Sequence, residues 1–399
     1  MTYVFYILAA LLIYLSYRSF RGGIDYLNYF KQELAKPLPD KTPFLTVFVP
    51  CRGVDQGMLE NIDALLAQDY PEYEVIFILD DAQDPAASII ESAWREARRP
   101  VKLVVAPQAI QSGQKVENLR EGVGYADPNS EIFVFADSDA RPSRDWLCSL
   151  ITPLDDEGVG VATGYRWFIS NSVTFASELR NLWNASIASA LGPRSPLCWG
   201  GATAIRRDVF EKLNIRERWR GTLSDDFTVM RVMDEAGLRI VFVPGALTAS
   251  IEDSTLKELL EFSTRQMKLT RVYAPKLWAM SFIGSGLFTT IMLAALLIMI
   301  FSRRNDLTVV IAIFTLLMVT AFSIGKSWLR LSAVRLALPK HAATLQRQFI
   351  PQITLWPLTQ ALFFFNCTAA LLSRRVVWRG TEYAMISPTE TQILKSRAP

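Results

Sequence analysis

Between about residue 44 and residue 250, short β-branched and aromatic runs alternate with amphipathic stretches. Phe44–Pro50, Glu74–Asp80, Lys102–Ala106 and Ile132–Asp137 read as strands buried on both faces. Between them, Gly57–Gln68, Ala86–Ala97 and Val116–Tyr125 carry apolar residues at helical spacing. Strand and helix in strict alternation predict an α/β domain over 44–254, with a mostly parallel sheet covered by helices. Such sheets present ligands at the carboxyl ends of their strands.

Outside that stretch the pattern changes. Tyr3–Tyr17 is apolar and ends at Arg18 and Arg21. It lacks a charged leading segment, and large and charged residues follow in place of a small-residue cleavage site. It reads as an uncleaved anchor over 1–23, a buried core helix being the alternative, and 24–43 reads as a polar linker bearing prolines. Trp278–Phe301 and Leu307–Ile324 are long enough to cross a bilayer. Ile350–Leu372, interrupted by Pro351, Pro357 and Asn366, is either a third crossing or a re-entrant hairpin. Lys326–Arg347 mixes basic residues with leucines, as an interfacial helix does. The expected order is therefore anchor, α/β domain, an amphipathic helix over 255–276, membrane and interfacial helices over 277–373, and a tail over 374–399. Basic residues after the anchor favour a multi-pass membrane protein with its α/β domain on the cytosolic face.

Composition narrows the chemistry. The 399 residues are 50% hydrophobic and 20% charged, with a net charge of +3, too small to argue for a nucleic-acid partner. Cys51, Cys148, Cys198 and Cys367 form no CxxC pair, which fits reduced thiols better than a disulfide framework. The single histidine, His341, lies in a basic loop between apolar runs. A Ser-His-Asp triad or a histidine-rich zinc site is thereby excluded from the α/β stretch. The chemistry left rests on carboxylates and a hard cation.

Four motifs supply those groups. Asp80-Asp81 follows a strand, where paired carboxylates can take ribose hydroxyls and the imide N–H of a base; an ordinary polar loop has the same composition. Asp137-Ser138-Asp139 closes the run Ile132–Ala136 and projects two carboxylates toward one spot. Octahedral Mg²⁺ or Mn²⁺ needs such a pair when diphosphate oxygens and water complete its shell. Asp225-Asp226 follows Ser224, a candidate helix N-cap, so these acids either serve the first turn of that helix or supply a general base. Arg265 and Lys268, with Arg271, lie on one helix at spacings that share a face, suited to a departing diphosphate or to lipid headgroups.

The order of these motifs resembles the family 2-type glycosyltransferases, specifically the ceramide glucosyltransferase branch. Pro50-Cys51-Arg52-Gly53-Val54-Asp55 is similar to that branch's loop after the first strand. Gln68-Asp69-Tyr70-Pro71, Gly113-Gln114-Lys115-Val116-Glu117-Asn118 and Gly200-Gly201-Ala202-Thr203 extend the likeness, which continues more faintly at Trp378-Arg379-Gly380. The resemblance implies a GT-A fold and a hexosyltransferase moving glucose from UDP-glucose to a membrane lipid, ceramide foremost. Diacylglycerol and polyprenyl phosphate acceptors, a processive polysaccharide synthase and a non-catalytic scaffold are the rival readings. It further implies that Asp80, Asp81 and Lys115 bind the nucleotide-sugar, and that Asp137 and Asp139 hold diphosphate through Mg²⁺ or Mn²⁺. Asp226 would be the base, with Asp225 beside it, and Arg265 would open the closing motif. That motif departs from the branch, because Lys268-Leu269 stands where Arg-Trp is usual. Asp139 departs too, standing where the animal enzymes have glycine.

Overall fold

The computed structural model describes residues 2–39, 41–97, 99–302 and 306–396. Met1 and 397–399, the outer ends of the expected anchor and tail, lie outside the described residues. The chain forms two compact units. One comprises Glu33–Asn171, Ala190–Glu252 and Arg374–Pro399, the other Met1–Gln32, Ser172–Ser189 and Asp253–Ser373.

The first unit is built on a seven-stranded sheet. Its strands are β1 (Leu45–Pro50), β2 (Tyr73–Leu79), β3 (Val101–Val105), β4 (Ile132–Ala136), β5 (Val159–Ile169), β6 (Ala202–Arg206) and β7 (Arg239–Ile251). Their order is β3-β2-β1-β4-β6-β5-β7. The pairs β1–β2, β2–β3, β1–β4 and β5–β7 are parallel, whereas β6 runs antiparallel to both β4 and β5. This mostly parallel α/β sheet is the GT-A-type architecture expected from the sequence. The four expected strands appear within one residue of their expected ends.

Helices Met58–Leu66, Ala86–Glu96 and Gln114–Gly122 connect the first four strands. Burial of β2 and β4 along their whole length explains why neither alternates polar with apolar residues. Phe48, Ile78, Phe133, Phe135, Val116 and Leu119 pack between sheet and helices. At Gly122 a Cβ would press on the Ile78 side chain at 2.7 Å, so only glycine lets that helix lie so close to β2. The chain steps outward from β1 to β3 and returns on the other side of β1 as β4. Such a reversal opens a crevice at the carboxyl ends of the flanking strands.

Residues 374–399, expected to be a tail, instead contain a three-stranded antiparallel sheet. It is made of β8 (Arg375–Trp378), β9 (Thr381–Ser387) and β10 (Glu390–Lys395) in the order β10-β9-β8. Thr381, Tyr383 and Met385 alternate inward along β9 and are buried. That period of two gives a short charged segment one apolar face to bury.

The second unit is helical. Thr2–Leu34, Pro275–Phe301 and Leu307–Ala337 are each long and apolar enough to cross a membrane. The first does not stop at residue 23. It continues through half of the expected linker because Tyr26 and Phe30, one turn apart, are buried with rings 4.6 Å from each other. Nor does the helix starting at Leu307 end at Ile324, as it runs on through Lys326 and Arg330. Buried Arg330 donates to Gln352 Oε1 at 3.0 Å, and Lys326 to Ser19 Oγ at 2.7 Å. Ile350–Leu372 is broken at Leu355 into Phe349–Thr354 and the 17-residue Trp356–Leu372, shorter than the three long helices. Phe175–Ala188, inside the expected α/β stretch, belongs to this helical unit. Its Leu179 and Trp183 join Leu259, Met267, Leu362 and Phe363 in one buried cluster, with Trp183 stacked on Phe363.

Candidate active site

The carboxyl ends of β1, β2 and β4 gather most of the acids singled out in the sequence. Asp80 follows β2 and is buried, with Arg52 Nε 3.5 Å from its Oδ2. Burial raises the Asp80 carboxyl above its ordinary value, opposed by Arg52. Asp81 is exposed instead, its Oδ1 accepting from the Gln83 amide at 2.9 Å within a tight turn. The two adjacent acids are thus unequal.

Asp137 and Asp139 follow β4. Lys115 Nζ lies 2.8 Å from Asp137 Oδ1 and 3.4 Å from Asp225 Oδ2. One ammonium therefore joins two acidic motifs that are far apart in the chain. Burial disfavours the Lys115 charge, yet Asp137, Asp225 and Asp226 more than offset it, and the ammonium is held above the usual lysine range. Burial acts to raise Asp137 as well, but Lys115 and Arg166 outweigh it and keep this carboxyl low. Asp225, buried at the start of the helix Asp225–Ala236, is pushed up to about 6 by burial against the pull of Lys115.

Arg166, on β5, places Nη1 3.0 Å from Asp139 Oδ2. The other oxygen, Oδ1, is buried without a hydrogen-bond partner. Burial pushes Asp139 up to about 6 in spite of Arg166. The Arg166 guanidinium lies over the rings of Phe168 and Trp199, which hold it in place. Ser138, between the two acids, donates to Asp55 Oδ2 at 2.9 Å, and Asp55 Oδ1 accepts from Arg379 at 2.6 Å.

The third motif serves the first turn of its helix. Ser224 caps the helix by accepting from the Phe227 amide. Asp226 Oδ1 accepts from the same amide at 2.7 Å and from the Ser224 hydroxyl, which fixes its orientation while the residue stays only partly buried. Glycines make room for these acids. A Cβ on Gly200 would collide with the Asp225 carboxylate, and one on Gly201 with that of Asp137.

Arg265 and Lys268 belong to the helical unit, on Leu256–Tyr273, a helix started by a Thr255–Glu258 capping box. Arg265 lies over the Phe262 ring, and burial lowers Lys268. Arg271 donates to the carbonyls of Ala370 and Leu371, the last turn of the helix Trp356–Leu372.

Four residues at the acids were not singled out as site residues from the sequence: Arg166 and, though quoted within motifs of the family resemblance, Arg52, Asp55 and Arg379. Arg166 carried a signal, being the one charged residue in the apolar run Val159–Ile169. Arg52, Asp55 and Arg379 stood in motifs of the resemblance, but local pattern gave them no role, and the Asp55–Arg379 pairing spans most of the chain. Among the described residues, no three His, Cys, Asp or Glu side chains form a group able to hold a metal ion by themselves. A paired Asp-x-Asp with one unpartnered buried oxygen does fit an ion that takes most of its shell from a diphosphate and water.

The chain is similar to several known proteins. A ceramide glucosyltransferase from Komagataella phaffii is 24% identical over 136 residues, 33% of this chain and 25% of that protein. An N-acetylglucosaminyltransferase from Rhizobium meliloti is 24% identical over 242 residues, 57% of this chain and 56% of its own length. The chain thus spans between a quarter and just over half the length of these curated relatives. A mannosyltransferase from Pyrobaculum calidifontis, solved in complex with GDP-Man and Mn²⁺, aligns with 92% of this chain and 98% of its own, at 19% identity and a TM-score of 0.46. The family model for glycosyl transferase family 21 matches residues 4–390, nearly the whole chain. The chain belongs to glycosyl transferase family 21.

Proposed function

We propose that this protein transfers a hexose, glucose from UDP-glucose, onto a hydroxyl of a membrane lipid, ceramide, by an inverting displacement assisted by a divalent cation. One observation supports the reading: Lys115 lies between Asp137 and Asp225, so two acidic motifs far apart in the chain share one ammonium, and the reading gives the first a donor-side role and the second an acceptor-side role.

In this reading Asp80 and Asp81 take the uridine, and Lys115 keeps the acids mutually oriented. Asp137 and Asp139 would hold Mg²⁺ or Mn²⁺, which when bound offsets charge on the diphosphate. Asp226 accepts the proton of the lipid hydroxyl. The oxygen then attacks the anomeric carbon from the face opposite the diphosphate, the new C–O bond forms as the old one breaks, and UDP departs. The Ser224 hydroxyl and the Phe227 amide keep the Asp226 carboxylate aimed for that task. Arg265 and Lys268, on the helix Leu256–Tyr273, would meet lipid headgroups. The long apolar helices keep the protein with its water-insoluble acceptor, and Arg18 and Arg21 favour a cytosolic face for the sheet unit. The likeness to N-acetylglucosaminyltransferases, longer in this chain than that to ceramide glucosyltransferase, favours UDP-N-acetylglucosamine as the second donor to consider.

Asp226→Asn tests the assignment of the base. Its amide oxygen still accepts the local hydrogen bonds, so UDP affinity with Mn²⁺ should stay within about twofold while transfer falls about 10²–10⁴-fold. Transfer at the wild-type rate would remove Asp226 from the mechanism.

A further inference from the structure

The C-terminal sheet reaches three parts of the acidic crevice. Arg52, which pairs with Asp80, also donates to the Thr381 hydroxyl of β9 at 3.4 Å. The Tyr383 hydroxyl accepts from the Gln114 amide, next to Lys115. A Cβ on Gly221, four residues before Asp225, would collide with the Thr389 carbonyl between β9 and β10.

The tip of this sheet points at the Asp-x-Asp motif. Trp378 pairs with Thr381, which leaves Arg379 and Gly380 as a two-residue turn, with φ 48° and 80°. Turns of this kind strongly favour Asn-Gly or Asp-Gly, since both central residues need positive φ. A bulky arginine is disfavoured there, and sparsely populated backbone conformations collect where a side chain has a task. Its guanidinium donates to Asp55, whose other oxygen is held by Ser138, the middle residue of the motif. Burial works against the Arg379 charge, and Asp55, Asp139 and Asp137 more than offset that effect.

The remaining cations of the crevice are committed inward. Lys115 bridges Asp137 and Asp225, Arg166 holds Asp139, and Arg52 holds Asp80, with side chains 18%, 14% and 20% exposed. Arg379 is 44% exposed even while paired with Asp55. A planar five-donor fork at the rim suits two phosphate oxygens at once.

We infer that Arg379, carried by the turn between β8 and β9, binds the diphosphate of the nucleoside diphosphate-sugar donor and positions it over Asp137 and Asp139. The inference rests on the donor-site reading given above. The test is calorimetric titration of the full-length protein in nanodiscs, with Mn²⁺ present, using UDP and using uridine, which lacks phosphates. Arg379→Asn keeps a residue suited to the turn while removing the guanidinium. Its melting temperature should equal or exceed that of the wild type, its UDP affinity should fall on the order of tenfold or more, and its uridine affinity should hold within about twofold. UDP affinity within about twofold of wild type overturns the inference, and so does an equal loss for UDP and uridine, which marks a purely structural role. If the Asn variant does not fold, Arg379→Lys decides: weaker UDP binding with uridine unchanged supports the inference, and unchanged UDP binding overturns it. Wild-type protein that binds no UDP removes both this inference and the donor site. Wild-type binding with an unaffected Arg379→Asn removes this inference alone.

Discussion

At the scale of single residues, the site is defined by how few cations serve its acids. Asp139 and Asp225 are both raised to about 6, while Asp137, closest to Lys115, stays low. A carboxyl raised on folding binds its proton more tightly in the native than in the unfolded state. Its contribution to stability is complete below the unfolded value near 4 and is lost as pH rises through about 6. Metal-free protein should therefore lose stability between about pH 4 and 6 on account of Asp225. Asp225→Asn should flatten that slope by up to about 3 kcal/mol, read as melting temperature against pH in both proteins. Parallel profiles would show that Asp225 ionises normally. The acids themselves were legible from sequence, because adjacent or alternate aspartates after an apolar run stand out. Their inequality was not: Asp80 is buried and Asp81 exposed for reasons of backbone direction alone.

At the scale of elements, β6 brings backbone up to the acids, and its approach depends on Gly200-Gly201. Alanine at 200 forces its methyl into the Asp225 carboxylate, close to Lys115 Nζ. Overpacking of this kind costs about 1–3 kcal/mol of stability, so Gly200→Ala should lower the melting temperature and, by displacing Asp225 from Lys115, reduce turnover, with helix content by circular dichroism unchanged. Wild-type turnover in that variant would mean that the close approach is incidental. The first four strands could be read because each is a short, mostly apolar run followed by a turn or loop. β5 and β7 were harder. Each is long, and shifts in their mutual register near Gly160 and Gly164 break any simple period. The C-terminal sheet was missed since its alternation covers only Thr381, Tyr383 and Met385, with Ala384 and Ile386 between and beyond them blurring the period. The turn that joins β8 to β9 has arginine where asparagine would have signalled a hairpin.

At the scale of the molecule, the chain leaves its sheet unit once, for Ser172–Ser189, before departing for the long helical segment. Nothing in local periodicity marks that excursion. Its helix looks like any other amphipathic helix, and only its partners in the buried cluster around Trp183 assign it to the helical unit. The long helices were legible for the opposite reason: uninterrupted apolar length is a property of sequence alone. Basic residues made Lys326–Arg347 look interfacial, yet Lys326 and Arg330 find hydroxyl and amide partners and the helix continues through them. In the proposed function, the acids of the sheet unit and the long apolar helices of the same chain serve a single reaction, sugar transfer to lipid. Mass spectrometry of lipids formed by purified protein with Mn²⁺ decides whether they do. UDP-glucose or UDP-N-acetylglucosamine would be offered as donor, and ceramide or diacylglycerol as acceptor. The account predicts a lipid heavier by one hexose from UDP-glucose and ceramide, absent with Asp226→Asn. No glycolipid from any pairing, while UDP-glucose is bound or hydrolysed, would contradict it.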